Sequence, residues 1–121
     1  MNQYCKFAGI GLIPWGPLNA GQLARPVGAD ETERESSTKT VWPRNTKPFE
    51  EEIVKRVEKI ANDKGWLMSQ VALAWINDKV TSPIVGFSSV KRLEEAIIPG
   101  YKLTEEEIKF LEEPYVVLLP C

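Results

Sequence analysis

The apolar residues of this chain follow two rhythms. From Ile10 to Trp15 they run almost without interruption, and Gly16-Pro17-Leu18 then ends the run abruptly. A short continuous apolar run predicts a strand covered on both faces, as in a parallel sheet. Pro14 falls at its C-terminal end, where a missing N–H does little harm. Ile84-Val85, continuing from Thr81-Ser82-Pro83 and leading into Gly86-Phe87-Ser88-Ser89, repeats the grammar and predicts a second short buried strand.

Elsewhere the spacing is helical. Asn2 to Phe7 is expected to be the tail of a helix stopped by Gly9. From Phe49 to Lys64, Ile53, Val57, Ile60 and Ala61 recur on one face, and Glu50, Glu51 and Glu52 crowd the first turn, where the helix dipole favours acids. Gly65 is the expected stop. Ser69 is expected to cap a helix over 70–77 whose stripe is Ala72, Trp75 and Ile76, which makes Trp75 a core residue. A third helix is expected to start near Ser89 and to bury Val90, Leu93 and Ile97. Thr104-Glu105-Glu106-Glu107 is a capping box, with Ile108 and Leu111 inward and Pro114 as the stop. The apolar tail from Tyr115 receives no assignment.

The order is strand, long loop, two helices, strand, helix, helix, which argues for an α/β fold with a parallel sheet and right-handed crossovers. Residues 19–48 form the long irregular segment, acidic and rich in Ser and Thr from Asp30 to Thr40. Loops of this length inside compact domains are either functional lids or disordered.

Composition narrows the function classes. With 121 residues, 43% hydrophobic and 26% charged, the chain has the size and balance of one soluble domain. A net charge of −2, with Lys and Arg interleaved with Glu, argues against a nucleic-acid partner. No apolar run approaches the ~20 residues that span a bilayer, and Met1 to Lys6 lacks the apolar core of a signal peptide, so a cytoplasmic location is expected. Cys5 and Cys121 are far apart with no CxxC spacing, and the chain has no histidine. Two reduced thiols are expected, with a disulfide as the alternative, and no metal site. The missing histidine also removes Ser-His and Cys-His chemistry and the usual general base at neutral pH.

The two loops that follow the strands carry the candidate chemistry. Small residues in the first let its backbone approach an anion, and the helix start after the second offers unpaired N–H groups. Together, the stretches IGLIPWGPLNAGQLARP (10–26), GWLMSQVALAWI (65–76) and TSPIVGFSSVKRLEEAI (81–97) resemble the C-terminal part of aldo-keto reductases, closest to fungal aryl-alcohol dehydrogenase-like and norsolorinic-acid-reductase-like members. The resemblance covers residues 1 to about 115.

That resemblance implies the last two βα units of a (β/α)8 TIM barrel, with residues 10–15 as the seventh strand and 82–86 as the eighth, and a barrel left incomplete within this chain. It implies that Trp15, Gly16, Pro17, Leu18, Asn19, Ala20 and Gly21 lie along NADP(H) with backbone amides near the pyrophosphate. Gly86 and Ser88, followed by Ser89, Arg92 and Glu95, are implied to hold the 2′-phosphate and adenine. Two positions depart from the family pattern, Gly16 from a serine and Ala96 from an asparagine. Arg34 and Lys39 are candidates for a loop folding over the cofactor, without a secure alignment.

The family's Asp, Tyr, Lys and His tetrad belongs to earlier strands, so no residue here is carried over as catalytic. The expectation is therefore a truncated product, the C-terminal fragment of an NADP(H)-dependent enzyme that reduces aldehydes and ketones, inactive as an isolated chain. The alternatives are a non-catalytic cofactor-binding or regulatory chain, pairing with a complementary reductase half or an oligomer, and a helical interaction module over 49–77. Glu94-Glu95 is set aside as an acid–base pair, since adjacent helical residues diverge in direction.

Overall fold

A computed structural model describes residues 2–30, 36 and 46–117. Its elements are α1 (Asn2–Ala8), a 3₁₀ turn (Asn19–Ala24), α2 (Pro48–Lys64), α3 (Met68–Lys79), α4 (Val90–Ala96) and α5 (Glu105–Glu112).

The core is helical. Val54, Val57, Ile60 and Ala61 of α2 pack against Met68 and Val71 of α3 and Leu111 of α5, and Val71 is fully buried at 0% exposure. Pro48 opens α2 with a preset backbone, and the Glu50 carboxylate accepts from the Lys47 N–H at 2.8 Å. Gly65 ends the helix in the left-handed region at φ +65°, and the Trp66 N–H returns to the Ala61 carbonyl at 2.9 Å. Only two residues then separate Gly65 from α3, so the chain reverses tightly and the apolar faces of α2 and α3 meet.

Several expectations need correction. Helix α3 starts at Met68 and not at Gln70, so Ser69 lies inside its first turn. The Gln70 side chain does the capping instead, accepting from the Leu67 N–H at 2.9 Å. Val71, Ala72, Leu73 and Ala74 are all buried, a wider apolar face than the Ala72, Trp75 and Ile76 stripe. Trp75 does pack on the core, and its indole N–H donates to Glu112 Oε1 at 3.0 Å.

The two expected strands do run side by side in parallel. They meet, however, only as an isolated bridge between Trp15 and Ile84. Nor are they buried, since Ile13 is 65% exposed, Trp15 85% and Ile84 56%. Parallel strands bury their side chains only when layers cover both faces, and α2, α3 and α5 pack mainly on one another. For the same reason Val90 and Leu93 of α4, and Ile97 just after it, are exposed, contrary to expectation. Residues 19–24 of the supposedly irregular segment form the 3₁₀ turn. Residues 31–35 and 37–45, including Arg34 and Lys39, lie outside the described residues, as does Cys121, while Cys5 is a buried free thiol. Among the described residues no helix is long and apolar enough to cross a membrane.

Helix α5 is attached by charge as well as by Leu111. Thr104 Oγ1 accepts from the Glu107 N–H at 3.2 Å while the Glu107 carboxylate accepts from the Thr104 N–H at 2.7 Å, the expected capping box. Lys64 pairs with Glu107 at 3.0 Å and Lys79 with Glu112 at 2.9 Å. Arg56 reaches Glu113, donates to the Phe110 carbonyl at 2.7 Å and lies over the Phe110 ring at 4.6 Å.

Burial pushes the Glu112 carboxyl up, but hydrogen bonds from Lys79 and Trp75 and the Lys79 charge outweigh it and hold the group below the usual carboxylate range. At Glu107 burial is likewise outweighed, by the Thr104 N–H and by Lys64. A carboxyl whose folded pKa is depressed contributes stability above its unfolded value and loses it as pH falls through the folded one. The urea midpoint is therefore expected to hold at neutral pH and to drop as pH falls below the ordinary glutamate value of about 4.3, and the double variant Glu107→Gln, Glu112→Gln to flatten that dependence. Leu111→Ala should destabilise by about 2–4 kcal/mol in urea melts followed by circular dichroism. Ile13→Ser, at an exposed position, should shift the same melt by less than about 0.5 kcal/mol.

Candidate functional site

The candidate site is built around the bridge. The Leu12 carbonyl accepts from the N–H groups of Thr81 at 3.1 Å and Ser82 at 3.2 Å, and the Pro14 carbonyl accepts from Ile84 at 2.8 Å. The Thr81 hydroxyl adds a side-chain link, accepting from the Leu12 N–H at 3.0 Å. Gly11 makes this approach feasible, because a Cβ there would come within 3.2 Å of Thr81 Oγ1. Since both segments run in the same direction, the loops that follow Trp15 and Ile84 leave from the same end.

The first loop turns at Gly16, φ +67°, and the Asn19 N–H returns to the Gly16 carbonyl at 3.0 Å. Asn19, Ala20 and Gly21 then occupy the left-handed region in succession, at φ 49°, 56° and 99°. Asparagine tolerates that conformation and glycine favours it, whereas alanine is strained there by about 1–2 kcal/mol. The Gly21 N–H to the Leu18 carbonyl at 2.9 Å and the Asn19 side-chain amide to Gln22 Oε1 at 2.7 Å hold the turn. Trp15 leaves its indole exposed at the loop's root.

In the second loop Ser89 caps α4, its hydroxyl accepting from the Arg92 N–H at 3.3 Å. Ser88 Oγ accepts from Arg92 Nη1 at 2.9 Å. Ser88, Ser89 and Arg92 are thus gathered into one exposed cluster of donors just beyond the exposed Gly86. Glu95 stands apart, its carboxylate 3.9 Å from Lys91 and its carbonyl accepting from Gln70 at 3.1 Å. The two groups of expected residues, Trp15 to Gly21 and Gly86 to Glu95, are linked through the bridge at their roots.

One groove lies beside these loops and not on them. It holds about 400 Å³ between the 3₁₀ turn and the start of α2, among Gln22, Leu23, Arg25, Phe49, Ile53 and Tyr115. Of the expected residues only Asn19 lines it. Among the described residues no group of three or more His, Cys, Asp or Glu is placed to hold a metal.

A sequence profile of the Aldo/keto reductase family matches residues 1–115. The chain belongs to the aldo/keto reductase family. It is 46% identical to the aldo-keto reductase dtxS3 of Metarhizium robertsii, over 96% of this chain and 32% of that protein. It is 42% identical to a versiconal hemiacetal acetate reductase of Aspergillus parasiticus, over 96% of this chain and 35% of that protein. A putative aryl-alcohol dehydrogenase of Saccharomyces cerevisiae, AAD16, is 40% identical over 93% of this chain and 34% of its own length. This aldo/keto reductase chain spans about a third of the length of each relative. Membership implies a (β/α)8 barrel for the family, while the described residues of this aldo/keto reductase chain show one isolated parallel bridge.

Sequence reasoning missed Thr81. The only sequence hint is a hydroxyl residue just before Ser82-Pro83, and its partner is 69 residues away. Thr81→Val removes the acceptor for the Leu12 N–H, and amide exchange at Leu12 should rise by about five- to tenfold, as for a hydrogen bond worth about 1 kcal/mol. Thr81→Ser should leave that exchange near the wild-type rate.

Proposed function

We propose that residues 1–121 are part of an NADP(H)-dependent aldo/keto reductase domain, the C-terminal portion of its barrel, and that they hold the phosphate-bearing half of the cofactor. The observation that carries this reading is the cluster of Ser88, Ser89 and Arg92 beside a strained, glycine-bounded loop rooted on the same parallel bridge. The donor set fits the group: a guanidinium and two hydroxyls for a phosphate, and small residues for close approach of backbone to a pyrophosphate.

When bound, NADP(H) supplies the hydride. The work of this chain is to bind and orient. Arg92, now donating to Ser88, would turn its guanidinium to the 2′-phosphate, with Ser88 and Ser89 as further partners. Trp15 to Gly21 would run along the pyrophosphate, Gly86 would allow the backbone to pass close, and Glu95 would lie toward the adenine. Carbonyl reduction also needs a positioned proton donor, commonly worth about 10²–10⁴-fold in rate. A histidine cannot serve from these residues, because the chain has none, so the catalytic groups would come from outside them. The substrate class, aldehydes or ketones reduced to alcohols, follows the relatives, whose names describe reductases and aryl-alcohol dehydrogenases.

NADPH titration followed by tryptophan emission tests the reading, with Trp15→Phe identifying the responding indole. NADPH is expected to quench Trp15, and Arg92→Ala to weaken NADPH binding about tenfold or more while leaving the weaker NADH response unchanged. No response up to about 1 mM NADPH would overturn the proposal.

A further inference from the structure

Helix α4 ends on a carbonyl that its own sequence leaves short of a partner. In a continuing helix the Glu95 carbonyl would accept from the N–H four residues on, and that residue is Pro99, which has none. Gln70, in the first turn of α3, supplies the donor from the neighbouring helix, its Nε2 reaching the Glu95 carbonyl at 3.1 Å. The other end of the same amide is already engaged, since Oε1 accepts from the Leu67 N–H at 2.9 Å. Only one orientation of the amide serves both partners, so the half-buried side chain is fixed at each end. Among the described residues this is the one hydrogen bond that joins α4 to another helix. The chain on either side fastens α4 less directly. Before it, the Ile84 N–H donates to the Pro14 carbonyl, and after it Tyr101 stacks on Trp66 with ring centroids 4.5 Å apart. Neither tie lies on the helix itself, so neither fixes how it is turned about its axis.

We infer that Gln70 is a positioning residue for Arg92 and thereby sets the preference for NADPH over NADH. The inference rests on the cofactor reading, in which the Arg92 guanidinium takes the 2′-phosphate. Arg92 lies one turn before Glu95 in a helix of only seven residues, which moves as a unit, so holding its last turn on α3 fixes where Arg92 stands. The same α3 runs at its far end into Thr81, whose hydroxyl holds Leu12 and with it the root of the first loop. One helix thus spaces the two loops, with Gln70 in its first turn and Thr81 just past its last. NADH has no 2′-phosphate, so a displaced Arg92 takes nothing from it, and the loss falls on NADPH alone.

Two variants separate the cap from the tie. Gln70→Glu keeps an acceptor for the Leu67 N–H, and its carboxylate suits a helix first turn, but it has no N–H for the Glu95 carbonyl. Gln70→Met removes both bonds without adding charge. In the full chain, titrated through tryptophan emission, both should raise the NADPH dissociation constant about five- to tenfold and leave that of NADH unchanged. The urea midpoint should hold in Gln70→Glu and fall in Gln70→Met, so that binding does not follow stability. In an Arg92→Ala background Gln70→Glu should add no further loss, which a merely structural defect would not reproduce. Without cofactor, amide exchange at Ile97, whose N–H donates to the Glu94 carbonyl at 3.2 Å, should rise in both variants. An unaltered chain indifferent to NADPH would overturn the cofactor reading and this inference together. Where the unaltered chain binds NADPH, four results would overturn this inference alone: equal NADPH binding by Gln70→Glu, an equal loss of NADH, full additivity with Arg92→Ala, or a loss in Gln70→Glu that Gln70→Met does not share. Unchanged exchange at Ile97 would do the same.

Discussion

Everything described here is anchored on the contact between α2 and α3. With a single left-handed glycine at its hinge, the reversal at Gly65 brings Val57, Ile60 and Ala61 within reach of Met68 and Val71. Because the link is only a few residues long, little chain entropy opposes the contact. The 3₁₀ turn, α4 and α5 each rest against this helical pair, and through α3 the Thr81 end of the bridge is tied to it as well. The two loops that leave the bridge are thus mounted on a core whose residues are not the ones that shape them.

Helix α5 illustrates a second way of fastening. It contributes one fully apolar anchor, Leu111, and surrounds it with carboxylates matched to Arg56, Lys64 and Lys79. Exposed ion pairs are individually weak, and these gain from being tied to hydrogen bonds with Thr104, Trp75 and the Phe110 carbonyl. The charged ends of Arg56 and Lys64 also lie over the Phe110 and Trp66 rings, so their removal costs a cation–π contact as well as an ion pair.

What the sequence makes legible is local. The Thr104 to Glu107 capping box, the Gly65 stop and the inward positions of α2 depend on residues within one or two turns, and all stand in the structure. Family membership was legible for a different reason, in three motifs in the right order. The start of α3 was misplaced because Gln70 caps from within the helix, which makes Ser69 look like the better candidate. The supposed burial of Ile13, Ile84 and Val90 failed because a continuous apolar run states a need for cover without saying which residues provide it. Thr81 was invisible since the acceptor it offers matters only once Leu12 arrives. The left-handed succession through Ala20 was likewise unreadable, as no local propensity favours it.

That succession has a consequence for stability. Asn19, Ala20 and Gly21 are fastened at their uncommon backbone angles by contacts within their own segment, from Leu18 to Gln22. The strain at Ala20 is therefore carried by the folded state itself, offset locally by the hydrogen bonds that close the turn. A substitution that removes the Asn19–Gln22 link loosens the one place where the backbone departs furthest from what its residues prefer.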